Sequence, residues 1–210
     1  DPGTEQATLA ASLAVLDAEF AFVAACNAGG EAMDPADVIR LQRIAARTWL
    51  RTLDDRLGVS AEALRRMGPA PALPVREALI GDKPEHRIPR SLEDVIPADN
   101  PWGFRLKVPE LLYNRGELTN LCIDRGTLTE EDRFKINEHI VQTIRMLSEL
   151  PFPRHLRAVP EIAGGHHEKM DGSGYPRGLT REQMSPMARM MAIADIFEAL
   201  TAVDRPYKKG

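Results

Sequence analysis

Apolar residues recur at helical spacing over most of this chain. EQATLAASLAVLDAEFAFVAACNAGG is rich in Ala and Leu and runs into Asn27, Gly29 and Gly30, a C-terminal stop that predicts a first helix. DPADVIRLQRIAARTWLRTLDDRLG opens with Asp34 as its cap and Pro35 at the first helical position. Val38, Leu41, Ile44, Ala45 and Trp49 give that second helix one buried face, and Gly58 closes it. Ser60 caps a short third helix to Met67. Across residues 68–109 prolines punctuate the chain and periodicity lapses, which predicts a long irregular connection with one helical turn at 75–80.

Helical spacing returns in TLTEEDRFKINEHIVQTIRMLSELP. Thr129 caps it, Asp132 follows three residues on, and Pro151 ends it. Phe134, Ile136, Ile140, Ile144 and Leu147 supply the apolar stripe. RHLRAVPEIAGG predicts another helix, carrying Pro160 and ending at Gly164 and Gly165. SPMARMMAIADIFEALTAV predicts a last one with Ser at its cap and Pro in its first turn. No convincing period-two alternation marks a strand. The expected fold is all-α: a helical N-terminal region over 1–70, the Pro-rich connection over 71–109, and a helical bundle over 110–210.

Composition changes this picture little. The 210 residues are 43% hydrophobic and 28% charged, as in a soluble globular protein. A net charge of −4 gives no bulk attraction to nucleic acid, so no such partner is expected. Cys26 and Cys122 fit no metal or redox spacing and read as free thiols in a reducing cytoplasm. The richest apolar run, residues 9–25, is interrupted by Ser12, Asp17 and Glu19, so no membrane segment is expected. The acidic start lacks the basic region of a signal peptide. The chain starts at Asp1 rather than Met and stops after RPYKKG, so both ends read as cut from something longer.

Candidate chemistry gathers in the second half. GGHHEKMDGSGYPRG places His166 and His167 side by side at a helix end, and imidazole is the commonest transition-metal ligand. His139 sits on the preceding predicted helix. Asp195, inside MMAIADIFEAL, has apolar neighbours on nearly every side and therefore calls for a partner or a cation. Gly172, Gly174 and Gly178 permit unusual turns and close backbone approach. Tyr175 and Pro176 stiffen that turn and offer a face on which a base could stack. Arg205, Lys208 and Lys209 could clamp phosphate. Each feature has an ordinary reading by itself: a solvated histidine, an aspartate paired with Arg189, a solvated basic end. Together they describe a metal beside a basic, glycine-lined cleft, a site suited to a phosphodiester.

HHEKMDGSGYP followed by MARMMAIADIFEALTAVDRPYKK resembles the HD-GYP domain, a bacterial branch of the HD phosphohydrolases, over residues 110–210. The resemblance implies an all-α, metal-dependent phosphodiesterase that linearises cyclic di-GMP, with some members acting on cyclic GMP-AMP. It implies a site of two or three ions, often iron or manganese. His139 in NEHIVQT matches the family's lone helical histidine ligand, His166 and His167 its histidine pair, and Asp195 its final aspartate ligand. Gly174, Tyr175 and Pro176 match the Gly-Tyr-Pro triplet, and Arg205 and Lys208 match positions that contact substrate phosphates in relatives.

The pattern breaks at the pair that names the family, a His-Asp followed by x-Gly-Lys. The nearest local match is YNRGE, with Tyr113 and Asn114 where His and Asp belong and Glu117 in place of the lysine. No histidine in the upstream helices supplies the family's first ligand, and His86 lies in the Pro-rich stretch. In the family the missing aspartate bridges two metals, and the missing histidines join Asp195 at one of them. His139, His166 and His167 survive as a complete set. Glu110, Asn114 and Glu117 are the oxygen donors left to rebuild part of the second site. The lysine is the family's proposed proton donor to the leaving group; without it, Asp195 and Glu117 are the candidate catalytic groups. The expected cofactor is one or two divalent ions, Fe or Mn with Zn as a further option.

Two readings follow. In the first, a degenerate domain binds metal and cyclic di-GMP, or a protein partner such as a diguanylate cyclase, with weak or absent activity. In the second, an atypical metal site still hydrolyses the cyclic dinucleotide. A homodimer through the N-terminal helices is a further expectation, because amphipathic helices of that length need a surface to cover.

Overall fold

The computed structural model describes residues 2–202. The chain forms two compact units and passes between them more than once: one holds the chain up to Pro89 together with Leu111–Glu131, the other Arg90–Glu110 and the chain from Asp132 onward. Helices dominate both, in keeping with an all-α fold; among the described residues the strands form two short pairs.

The first unit opens with α1 (Pro2–Ala28), which ends where Gly29 turns the chain at a φ of 74°. α1 is long and apolar enough to cross a bilayer by length and composition alone: Gly3–Ala28 contains an 18-residue window with a mean hydropathy of 1.8. This corrects the expectation that no run qualifies: Asp17 and Glu19 are too few to offset the surrounding Ala, Leu, Val and Phe. α2 (Pro35–Ala45) starts as predicted, its Asp34 cap accepting from the Ala36 amide at 2.8 Å, and buries Leu41, Ile44 and Ala45.

α2 stops well short of Gly58. Residues Thr48–Arg51 leave the helix as β1 and pair antiparallel with β2 (Val75–Ala78), so the helical turn expected at 75–80 is a strand. The cause is tertiary. Arg51, 5% exposed, lies 3.1 Å from Glu77 and 3.2 Å from Asp55, and Lys83 stands 3.3 Å from Asp55. A buried arginine needs such partners, and the strand register supplies Glu77. Between them lies α3 (Ala61–Arg66), with Ser60 capping as expected. β3 (Arg87–Pro89) pairs with β4 (Leu111–Asn114), and α4 (Glu117–Leu121) follows.

The second unit holds α6 (His139–Ser148), α7 (Val159–Gly164), α8 (Pro186–Thr201) and most of α5 (Glu130–Asn137). The single helix predicted over 129–150 is thus two, parted at Glu138. Pro160 explains the shortening of α7, because proline is tolerated in a first turn and not in a helix interior. Ser185 caps α8 through the Ala188 amide at 3.2 Å.

Candidate metal centre

The site begins with packing. Ile140 and Val141 on α6 are fully buried, Ile144 nearly so, and they form a core with Phe104. That core fixes α6, and His139 is its first residue. α7 can approach because Gly164 has no side chain: a Cβ there would stand 2.7 Å from Cγ1 of Ile144. One added to Gly165 would stand 3.0 Å from the Ala188 Cβ of α8. Ser185 further ties α8 to α7, its hydroxyl donating to Glu161 at 3.1 Å. The Gly-Gly pair, legible as a helix stop, therefore serves close packing, and it delivers His166 and His167 against His139.

The three rings meet with centroids 4.0 to 5.9 Å apart. One nitrogen from each lies within 4.8 Å of the others. His139 and His166 share a device: each turns Nδ1 to the carbonyl three residues back, Ile136 and Ala163, at 2.6 Å. A carbonyl only accepts, so Nδ1 carries the proton and Nε2 is left bare, the state a metal requires. Nε2 of His167 stands 3.2 Å from Nε2 of His139. Two nitrogens each ~2.0–2.1 Å from one ion are roughly 3.0–3.4 Å apart, so the pair fits a shared ion. Burial, reinforced by His166, pushes the His167 imidazole down to about 4 against the opposing pull of Asp195, which keeps the ring neutral at neutral pH. Three imidazoles suit Fe, Mn or Zn rather than Ca.

The loop after the pair is held from within. Glu168, 4% exposed, accepts from the Arg177 amide at 2.7 Å with one oxygen and from the Leu179 amide at 2.8 Å with the other. At Gly174 a Cβ would collide with the Lys169 amide and the Glu168 backbone, so only glycine lets the loop close here. The Tyr175 amide donates to the His167 carbonyl at 3.2 Å, and the Tyr175 ring stacks on His167 at 4.8 Å. Pro176 is fully buried, and its carbonyl accepts from the Arg105 amide at 2.7 Å. The Arg177 guanidinium donates to the Trp102 carbonyl at 2.9 Å. Glu168 is the loop-organising residue beside the site that sequence reasoning missed. Its only signal was a carboxylate beside a glycine turn whose amides lack other acceptors.

Comparison with known proteins decides the family, since the HD domain pattern matches residues 74–210. The chain belongs to the HD domain family. With its His-His and Gly-Tyr-Pro motifs it falls in the HD-GYP branch. Similar proteins include a 3'3'-cGAMP-specific phosphodiesterase of Vibrio cholerae, 39% identical over 53% of this chain and 23% of its own length. A cyclic di-GMP phosphodiesterase of Pseudomonas aeruginosa is 43% identical over 50% of this chain and 23% of itself. A cyclic di-GMP phosphodiesterase response regulator of Xanthomonas campestris is 36% identical over 47% and 26%. The chain thus spans about a quarter of these relatives.

Within this HD domain the remaining residues fall as follows. Asp195 stands outside the three-nitrogen cluster, one oxygen 3.6 Å from Nδ1 of His167. Asp195 is partly buried, its side chain 41% exposed, because α8 buries Ala188 and Ala192 while Met191, Ile196 and Phe197 are exposed. Glu110 is exposed. In the first unit, Tyr113 and Asn114 lie on β4. The Asn114 side chain accepts from the Gly116 amide at 3.0 Å, and Glu117 accepts from the Gly81 amide at 3.1 Å. His86 accepts there from the Lys83 amide at 3.2 Å. Arg205 and Lys208 lie outside the described residues.

Proposed function

We propose that this HD-GYP domain holds one divalent transition ion on His139, His166 and His167 and binds a cyclic dinucleotide beside it, cyclic di-GMP or 3'3'-cGAMP, with weak or absent phosphodiesterase activity. One contrast carries the reading: three imidazoles converge with two tautomers preset, while the nearest local match to the family's His-Asp pair is Tyr113 and Asn114. Asn114 and Glu117 already serve backbone amides, which favours one ion over two. A divalent ion supplies Lewis-acid chemistry toward a phosphoryl oxygen and toward water. The chain's own residues do the rest. His139 and His166 present Nε2, Asp195 and Tyr175 hold the His167 ring from its other side and its face, and Glu168 sets the loop that forms the wall. Gly174, Tyr175 and Pro176 belong to that wall, and Arg205 and Lys208 supply cations for the phosphates. A cytoplasmic location and a signalling role belong to the same reading, and two free thiols suit that compartment.

The second reading, an active phosphodiesterase, is favoured by the ligand count. Three protein ligands leave positions open, as catalytic sites do, and the relatives named above are phosphodiesterases. Purified protein loaded anaerobically with Mn or Fe(II) is incubated with cyclic di-GMP and the mixture chromatographed. Tight binding without turnover supports the proposal. Linear product formed over many turnovers, and lost in His166→Ala, overturns it in favour of the active enzyme. Fewer than one ion per chain in the loaded sample removes the three-histidine site altogether.

A further inference from the structure

Residues 102–109 pack on the loop of the candidate metal centre without belonging to any of its motifs. They run along α6 against its chain direction. Arg145, two turns into α6, stands 5.0 Å over the Trp102 ring. Phe104 enters the core formed with Ile140, Val141 and Ile144. The Pro109 carbonyl accepts at 2.8 Å from Arg90, whose guanidinium lies 4.6 Å over the Phe134 ring of α5. α5 gives way to α6 at Glu138, so the segment heads for the end of α6 where His139 stands.

Arg105 is the arginine on this path that is not engaged. Arg90 and Arg145 lie on aromatic rings, and Arg177 donates to the Trp102 carbonyl at 2.9 Å. The Arg105 side chain is exposed and, among the described residues, has no hydrogen-bond or ion-pair partner. Its backbone, by contrast, is held on both sides. The Phe104 amide donates to Oδ1 of Asn100 at 2.9 Å, and the Phe104 carbonyl accepts from Nδ2 of Asn100 at 3.1 Å. The Arg105 amide donates to the Pro176 carbonyl at 2.7 Å. Pro176 directly follows Tyr175, whose ring covers His167. Burial alternates from Phe104 to Lys107, as in an extended run, so Arg105 turns away from the core beside that loop.

We propose that Arg105 is a phosphate-binding residue, its guanidinium holding a phosphate of the cyclic dinucleotide beside His139, His166 and His167; the inference rests on that reading of the site. A guanidinium meets a phosphate bidentately, with two parallel N–H donors. It stays charged and gives up no proton, so Arg105 adds affinity without supplying an acid to the leaving oxygen. A backbone fixed in advance lowers the cost of ordering the side chain that it carries.

The test uses the whole chain loaded with Mn, and equilibrium dialysis of cyclic di-GMP. Arg105→Gln should weaken binding roughly 10- to 100-fold. Bound Mn and melting temperature should stay as in the parent, because the amide that meets Pro176 remains. Arg105→Lys should recover part of the loss, since it keeps the charge and loses the fork. Arg154→Gln removes the same charge between α6 and α7, at the end of both helices away from the histidines, and should bind as the parent does. In the parent, cyclic di-GMP should shield residue 105 from phenylglyoxal, read by peptide mass. A parent that binds the dinucleotide while Arg105→Gln binds it equally well overturns this inference alone. Equal losses in Arg105→Gln and Arg154→Gln overturn it too, because net charge then accounts for both. Loss of Mn or a lower melting temperature in Arg105→Gln assigns the residue to the fold instead. A Mn-loaded parent that does not bind cyclic di-GMP overturns the reading of the site, and this inference with it.

Discussion

At the residue scale the site is a matter of which nitrogen carries which proton. His139 and His166 have theirs fixed by carbonyls. His167 is governed by burial, which lowers its pKa from 6.5 to about 4, with His166 acting in the same direction. The sign follows: between those two values the unfolded chain binds a proton at this position and the folded chain does not. The stability is therefore fully present above pH 6.5 and lost progressively as pH falls toward 4. Urea midpoints of chelator-treated protein should fall between pH 7 and pH 5, and His167→Gln should flatten that part of the profile. An unchanged slope in the variant would show that another group controls it. The three histidines were legible because a His-His doublet before glycines has few other uses. Glu168 was not, because its role depends on two amides that a loop returns to it nine and eleven residues later.

At the scale of elements, side-chain period predicted where helices exist and missed where they end. The caps Asp34, Ser60 and Ser185 act as their residue types require. β1 was read as the continuation of α2 because Trp49 falls in helical phase, whereas its pairing with β2 is set some 27 residues downstream and leaves no local mark. Gly164 and Gly165 show the complementary case, a local signal with a second meaning. If Gly164 is needed for approach rather than for stopping the helix, Gly164→Ala should destabilise by ~1–3 kcal/mol through overpacking against Ile144. Ile144→Ala placed in that background should then cost less than it does in the parent protein. Additive losses in denaturant melts of the four proteins would mean the two side chains do not compete for the same space.

At the scale of the whole molecule, the fold class and the family were legible, since the motif that names the family needs no tertiary information to be read. What lay beyond the sequence was the course of the chain through two units, because residues 90–110 return to the unit of α6 and meet the loop at Arg105–Pro176 and Trp102–Arg177 only after folding. The proposed metal site links these levels. An ion that binds the folded site and not the unfolded chain stabilises by about 2.7 kcal/mol at a hundredfold excess over its dissociation constant. The three proposed ligands stand on α6 and directly after α7, so that energy should appear where those helices hold each other. Added Mn should raise the melting temperature and slow amide exchange in α6, α7 and the Glu168–Leu179 loop, and a chelator should reverse both. His139→Ala should abolish the gain without altering the metal-free melting curve by more than a surface substitution does, because His139 is exposed. A gain of equal size in His139→Ala would place the ion elsewhere on the chain.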